Sequence, residues 1–250
     1  MYRLPFGVAL TRLILIAAAV VLVLGACASP AKRQTGVVLT GDHLKAAALP
    51  LSALGPDYAD FALSDKSGPR TAEQLTAEAL NPDDEAQDVA RFGTQMGFQE
   101  VFVSERDLQD RSGVFYLANS LVLYASPKGA AGDLADMVGD QQRDFSGTTT
   151  AGTLQAFQRF SPKVGEKAYG AVIRLLAPGS DFGVKGVVNL TITSVAFRRD
   201  RVVGQVVLVR FDGADQQKEV AEMARKLDQR LQAVMRGESP DSPEAAVPSR

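Results

Sequence analysis

Residues 187–211 read VVNLTITSVAFRRDRVVGQVVLVRF. Two runs rich in Val, Ile, Thr and Phe, Val187 to Phe197 and Val202 to Phe211, flank a charged turn at Arg199-Asp200. β-Branched and aromatic residues favour strands, and a short polar interruption between two such runs reads as a hairpin. Apolar residues fall on both faces of each run, which places the pair centrally in the sheet. Immediately after it, Val220, Met223, Ala224, Leu227, Leu231 and Val234 recur at helical spacing, and Lys218, Glu219, Glu222, Arg225, Lys226, Asp228 and Arg230 point elsewhere. The spacing predicts an amphipathic helix that stops at Gly237, where a left-handed cap belongs.

Working back from the hairpin, Thr153 to Phe160 and Ala168 to Leu176 read as strands joined by the Pro162–Gly165 turn. Ser126-Pro127 starts a helix with the stripe Ala130, Leu134, Met137 and Val138. Val114 to Tyr124 (VFYLANSLVLY) and Phe98 to Ser104 are two further strands. Asn81-Pro82-Asp83-Asp84-Glu85 supplies a cap, a first-turn proline and acids at the positive end of a helix, which should carry Ala86, Val89, Phe92 and Met96 on one face and end near Gly97. Thr71 and Gln74 make a capping box for a helix ending at Leu80, and Thr40-Gly41-Asp42 starts a short helix stopped near Pro50. The fold class expected is α+β: an antiparallel sheet with helices packed on one face, in two β-β-α-like halves, Phe98–Asp144 and Ala168–Arg236.

The amino terminus carries an address. Arg3 and Arg12 give a positive start, and Leu13 to Leu24 is unbroken Leu, Ile, Ala and Val, which fits a signal-peptide core better than a full span of about 20 residues. Leu24-Gly25-Ala26-Cys27 follows, and Cys27 is the only cysteine. This resembles the lipobox of bacterial lipoproteins. The resemblance implies a diacylglyceryl group on the Cys27 sulfur and cleavage between Ala26 and Cys27. Each buried methylene contributes about 0.8 kcal/mol, so two acyl chains hold a protein stably at a membrane where one does not. The organisation expected is a signal peptide over 1–26, a lipidated tether over 27–36, one α+β domain over 37–236 and a Pro-, Ser- and acid-rich disordered tail over 237–250. The location implied is the extracytoplasmic side of a membrane. Ala28 rather than Asp after the cysteine points to the outer membrane if the cell has one.

Composition narrows the function. Without the two arginines of residues 1–26, 25 bases face 29 acids, a formal charge of −4, and no clustered basic face suits nucleic acid. Arg198, Arg199 and Arg201 flank a turn and read as a solvated hairpin tip. After lipidation no thiol is left for a disulfide, a nucleophile or a zinc site. His43 is the only histidine and sits at a polar helix start, which suits a structural role better than a catalytic one. Gly179, Gly183 and Gly186 lead into a strand, not a helix, so they do not form a phosphate loop; Asp181-Phe182-Gly183 copies a kinase tripeptide without its partners. Asp83-Asp84-Glu85 with Asp88 is explained as helix-start chemistry, and Asn189-Leu190-Thr191, a glycosylation pattern, falls inside a buried strand. No set of residues names a reaction, a cofactor or a metal.

The succession Val164-Gly165-Glu166-Lys167-Ala168, then Val195 to Val203 (VAFRRDRVV), then Val220 to Asp228 (VAEMARKLD) resembles exported sensor-type domains of actinobacteria, including the extracytoplasmic domain of a Ser/Thr kinase and related lipoproteins. Those kinase domains carry disulfides and this chain has none, so no site residue is carried over. The expectation is a non-enzymatic, membrane-anchored lipoprotein. Its domain would hold an apolar ligand, in a groove between sheet and helices, or an envelope protein. The alternatives are an accessory lipoprotein acting by contact and a hydrolase using paired carboxylates.

Overall fold

Among the described residues nine strands pair antiparallel in one sheet: β1 (Phe61–Leu63), β2 (Gly68–Thr71), β3 (Thr94–Ser104), β4 (Val114–Tyr124), β5 (Thr148–Thr149), β6 (Gly152–Phe160), β7 (Lys167–Pro178), β8 (Val187–Arg199) and β9 (Val202–Arg210). Their spatial order is β1-β3-β4-β9-β8-β7-β6-β5, with β2 following β1 along the outer edge of β3. Among the described residues five helices accompany them: α1 (Gly41–Ala47), α2 (Ala72–Glu78), α3 (Pro82–Phe92), α4 (Pro127–Asp144) and α5 (Gln217–Met235). The structure, a computed structural model, describes residues 37–79, 82–106, 108, 112–144, 148–149 and 152–241. The signal peptide, Ala26, Cys27, the tether, Asn81 and the tail from residue 242 lie outside them. Among the described residues no helix is long and apolar enough to cross a membrane.

The α+β arrangement expected from the sequence is what forms, and its helices are shared between the two faces of the sheet. Side chains alternate along each strand. Phe98, Phe102, Leu117, Leu121, Leu123, Val195, Phe197, Val202, Val206 and Leu208 point to one face and are buried beneath α1 and α5. Tyr124, Ala196 and Val203 point to the other face, where they meet Phe92 of α3 and Ala130 and Leu134 of α4. Further along this second face a turn of 3-10 helix at Gly179–Phe182 sends Phe182 edge-on to Phe115 and Phe211, which stack at 4.2 Å. The units β3-β4-α4 and β8-β9-α5 do repeat the strand-strand-helix succession. Their last strands, β4 and β9, lie side by side and antiparallel with helices on opposite faces. The two units therefore have opposite hand and cannot superimpose by rotation.

α5 is the helix the sequence describes: Val220, Ala224, Leu227 and Leu231 are fully buried. Gly237, with φ of 77°, closes it, its N–H reaching Val234 O at 2.9 Å while Glu238 N–H reaches Ala233 O at 2.9 Å. α1 is tied down by two polar devices. Arg230 of α5 donates to the carbonyls of Ala46, Ala47 and Ala48 at its C-terminal end, and the fully buried Asn119 of β4 accepts from Leu49 N–H at 2.9 Å and donates to Leu49 O at 3.1 Å. The Thr71–Gln74 capping box forms as expected, at 2.9 and 3.2 Å. The helix expected to run to Gly97 ends at Phe92 instead. Gly93 takes φ of 69°, the chain reverses, and Met96 belongs to β3. Ala86, expected inward, is exposed, and the inward residues of α3 are Asp88 and Phe92. β1, β2 and β5 were not expected; at three, four and two residues they are too short to show a period.

Candidate functional site

The cross-strand register lays out the second face in rows. One row runs Gly97–Val122–Val203–Arg198–Lys167 across β3, β4, β9, β8 and β7. The next rows are Gln99–Ser120–Gln205–Ala196–Tyr169, then Val101–Ala118–Val207–Ser194–Ala171, then Val103–Tyr116–Val209–Ile192–Ile173. Rows lie about 7 Å apart and strands about 4.8 Å apart. The first row is covered by α3 and α4, and beyond the fourth comes the Phe115–Phe182–Phe211 cluster. Between these bulky ends the middle rows carry Ala118, Ser120, Ser194, Ala196 and Ala171. Gln99, Gln205, Tyr169, Val101 and Val207 fill the other places of these rows, and Ala118 and Val207 pack against the aromatic side; we refer to this band of the sheet face as the trough. Its β7–β8 half is closed, since Ala171, Ser194 and Ala196 are buried. Its β3–β4–β9 half is half-exposed at Gln99, Ala118, Ser120, Gln205 and Val207.

Among the described residues two polar atoms in this trough have no hydrogen-bond partner: Tyr116 Oη, on a residue only 2 % exposed, and Gln205 Nε2. A buried polar group without a partner costs about 1–3 kcal/mol, so native proteins keep few of them. Burial pushes the Tyr116 hydroxyl above its ordinary range, so it keeps its proton. Both groups can donate a hydrogen bond. Gln99 is occupied, donating to Lys66 O at 2.7 Å.

The helical wall of the trough holds an unusual group of carboxylates. Glu85 and Asp88 of α3 face Asp133 and Asp136 of α4, with Tyr124 of β4 hydrogen-bonded to Asp133. Burial first, then the neighbouring acids, raises Glu85 to about 7 and Asp88 to about 6. Burial also raises Asp133 to about 6, against the lowering effect of the Tyr124 hydrogen bond. Arg91 offsets only part of the charge on Asp88, at 3.8 Å. Helix-start chemistry thus explains only part of the Asp83–Asp88 group, because Glu85 and Asp88 turn inward.

The remaining sequence candidates fall elsewhere. His43 Nδ1 lies 3.2 Å from Thr40 N and 2.9 Å from Thr40 Oγ1, a helix-start role. The basic turn is ordered by ion pairs, not merely solvated: Arg199 grips Asp228 at 2.9 and 2.6 Å, and Arg198 reaches Glu166 at 2.6 Å and Pro127 O at 3.3 Å. The Gly179–Gly186 loop packs Phe182 and Val184 into the aromatic cluster and leads into β8, as its strand-side position implied. The glycosylation pattern is only partly inside the sheet: Thr191 is fully buried, but Asn189 itself is exposed. Among the described residues no three His, Cys, Asp or Glu side chains are placed so that they could hold a metal ion. Tyr116 and Gln205 escaped sequence reasoning because only the register shows that they share a face with the small residues between them.

No family model and no curated protein matches this chain. Among solved structures it is similar to the extracellular domain of PknH from Mycobacterium tuberculosis, with a TM-score of 0.50 at 11 % identity. That match spans 78 % of this chain and 97 % of the PknH domain. The chain therefore shares the fold of a mycobacterial extracellular domain, in keeping with the resemblance read from its last third.

Proposed function

We propose that this chain is an exported lipoprotein of the cell envelope, held at the membrane by lipid on Cys27 after cleavage behind Ala26. Its domain is a sensor-like module that carries an apolar ligand bearing a hydrogen-bond acceptor. The observation that carries this reading is the pair of donors on this band of the sheet face, Tyr116 Oη and Gln205 Nε2, which go unanswered among the described residues beside the short side chains Ala118 and Ser120. An apolar body fills the space above Ala118 and Val207, and a carbonyl or ester oxygen answers the donors. The fold shared with an extracellular domain and the lipobox Leu24-Gly25-Ala26-Cys27 support an extracytoplasmic place. The domain works by binding, without catalysis. The carboxylates of α3 and α4 lie in a helix–helix seam, whereas a glycosidase pair must flank a space for its substrate.

Native mass spectrometry of the full-length chain, taken from its own membranes in mild detergent, tests the ligand. The wild type carries an added mass beyond the lipid on Cys27, and Ala118→Leu, which fills the floor, loses it. A bare mass in the wild type overturns the ligand reading and favours a lipoprotein acting by protein contact alone. Radiolabelled fatty acid tests the anchor: label enters the wild type and is absent from Cys27→Ser. Label persisting in that variant contradicts the anchor.

A further inference from the structure

The sheet face beneath α1 and α5 turns polar at the end away from the Arg199 turn. Thr191 and Thr193 continue, two residues at a time, the file of Val195 and Phe197 along β8, and Arg210 continues that of Val206 and Leu208 along β9. The register sets Arg174 of β7 and Arg210 of β9 on either side of Thr191. The loop from Asp212 to Gln216 leads over this row into α5, and a Cβ on Gly213 would lie 3.9 Å from Thr191 Oγ1. Among the described residues eight buried side-chain polar atoms have no hydrogen-bond partner, and four belong to this corner: Thr191 Oγ1, Arg210 Nε, Gln216 Oε1 and, one row deeper, Thr193 Oγ1. Thr191 and Thr193 are fully buried and Gln216 is 4 % exposed. The acids here are already answered. Asp212 takes the Arg210 guanidinium and the N–H groups of Gly113 and Ala214, Glu219 takes Tyr58 Oη at 2.6 Å and Gln216 Nε2 at 3.0 Å, and Asp215 takes the N–H of Gln217 at 2.8 Å and its Nε2 at 2.9 Å. The half-buried Arg174 side chain has no hydrogen bond or ion pair among the described residues.

We propose that this corner, between the Arg174–Thr191–Arg210 row and the start of α5, binds a phosphate group. It lies on the face opposite the trough and does not rest on the ligand read there. The Arg174 fork, Arg210 Nε and the Thr191 hydroxyl supply donors from three directions, at the positive end of α5. Neighbouring strands stand about 4.8 Å apart, so the two arginines start about 10 Å apart and their side chains are long enough to meet over Thr191. A tetrahedral oxyanion takes donors from three directions, whereas a planar carboxylate takes them in its own plane. Arg174, the half-exposed member, marks the side from which the group enters. Gln216 Oε1 only accepts, so it selects an oxyanion that still carries a proton. Inorganic phosphate keeps a P–OH at neutral pH, a monoester keeps one below its second ionisation near pH ~6, and sulfate has none.

Calorimetric titration of the full-length chain in mild detergent at pH 6 tests this, with inorganic phosphate and then sulfate as the probe. Phosphate should bind one to one, and sulfate at least tenfold more weakly. Arg174→Gln should weaken phosphate binding at least tenfold. Thr191→Val, which replaces an unanswered hydroxyl by a methyl, should weaken it at least fivefold while the melting temperature holds or rises. Ala118→Leu, on the other face, should leave phosphate binding unchanged. Reconstitution in phosphatidylcholine vesicles with and without phosphatidic acid separates the sources. The group is a free ion if inorganic phosphate binds, and a lipid headgroup if only phosphatidic acid slows hydrogen exchange of the amides of residues 213–219. No response to either probe, equal affinity for sulfate, full binding by folded Arg174→Gln and Thr191→Val, or loss of binding in Ala118→Leu overturns the proposal.

Discussion

Asp228 is a single carboxylate on which three parts of the chain converge. It accepts Arg199 from the end of β8, Gly165 N–H at 3.2 Å from the turn before β7, and Gln232 Nε2 at 3.0 Å from its own helix. It is 6 % exposed, while the Arg199 side chain keeps a quarter of its surface, so solvent screens part of the pair. Replacing Asp228 by Ala leaves a half-buried guanidinium and a backbone N–H without partners, and should cost about 2–4 kcal/mol in urea unfolding. Asn119→Ala should cost a similar amount, about 2–4 kcal/mol, because both backbone groups of Leu49 lose their bonds in a dry site. Tyr116→Phe should act in the opposite direction on the empty domain. Deleting an unanswered hydroxyl should stabilise it by about 1 kcal/mol while weakening ligand retention. Loss of stability in that variant would mean the hydroxyl is already satisfied. The stretch VFYLANSLVLY places Asn119 between Leu117 and Leu121 on the buried face, so its burial was legible; its partner, 70 residues away in sequence, was not.

At the scale of elements, the glycines of α4 make a controlled comparison. Gly129→Ala drives a Cβ into the Phe92 carbonyl and should destabilise the fold by about 1–3 kcal/mol, with the loss concentrated in α3. Gly139, in the same helix, is exposed and has open space where its Cβ would go, so Gly139→Ala should stabilise by about 0.5–1 kcal/mol through helix propensity. Thermal melts of the two variants check both signs, and equal shifts would mean that helix propensity, not the seam, governs α4. The elements read correctly from sequence, β4, β6, β7, the β8–β9 hairpin, α4 and α5, share long apolar runs or stripes whose period survives inspection. α3 was drawn too long because Met96 continues its spacing, whereas a backbone reversal at Gly93 hands that residue to a strand. β1 and β2 were missed because their pairing partner, β3, and not their own pattern, makes them strands.

For the molecule as a whole, the layers follow from parity. Neighbouring strands present apolar side chains to both sides, and one helical layer cannot cover two faces. Residues 187–211 carry apolar side chains on both faces, yet the sequence reading expected helices on one face only; which helix goes to which face depends on contacts far apart in sequence. The trough has the same origin. Its floor is drawn from five strands that only the register aligns, and its small residues look unremarkable in each strand alone. Whether that floor holds a ligand decides what the domain does. The chain contains no tryptophan, so Val103→Trp, at the half-exposed rim, places one reporter beside the trough. On titration with an organic extract of the protein's own envelope, its emission should shift to the blue and saturate, and adding Ala118→Leu should abolish the shift. Emission that stays unchanged, or that shifts equally in the filled variant, would contradict a ligand in this trough.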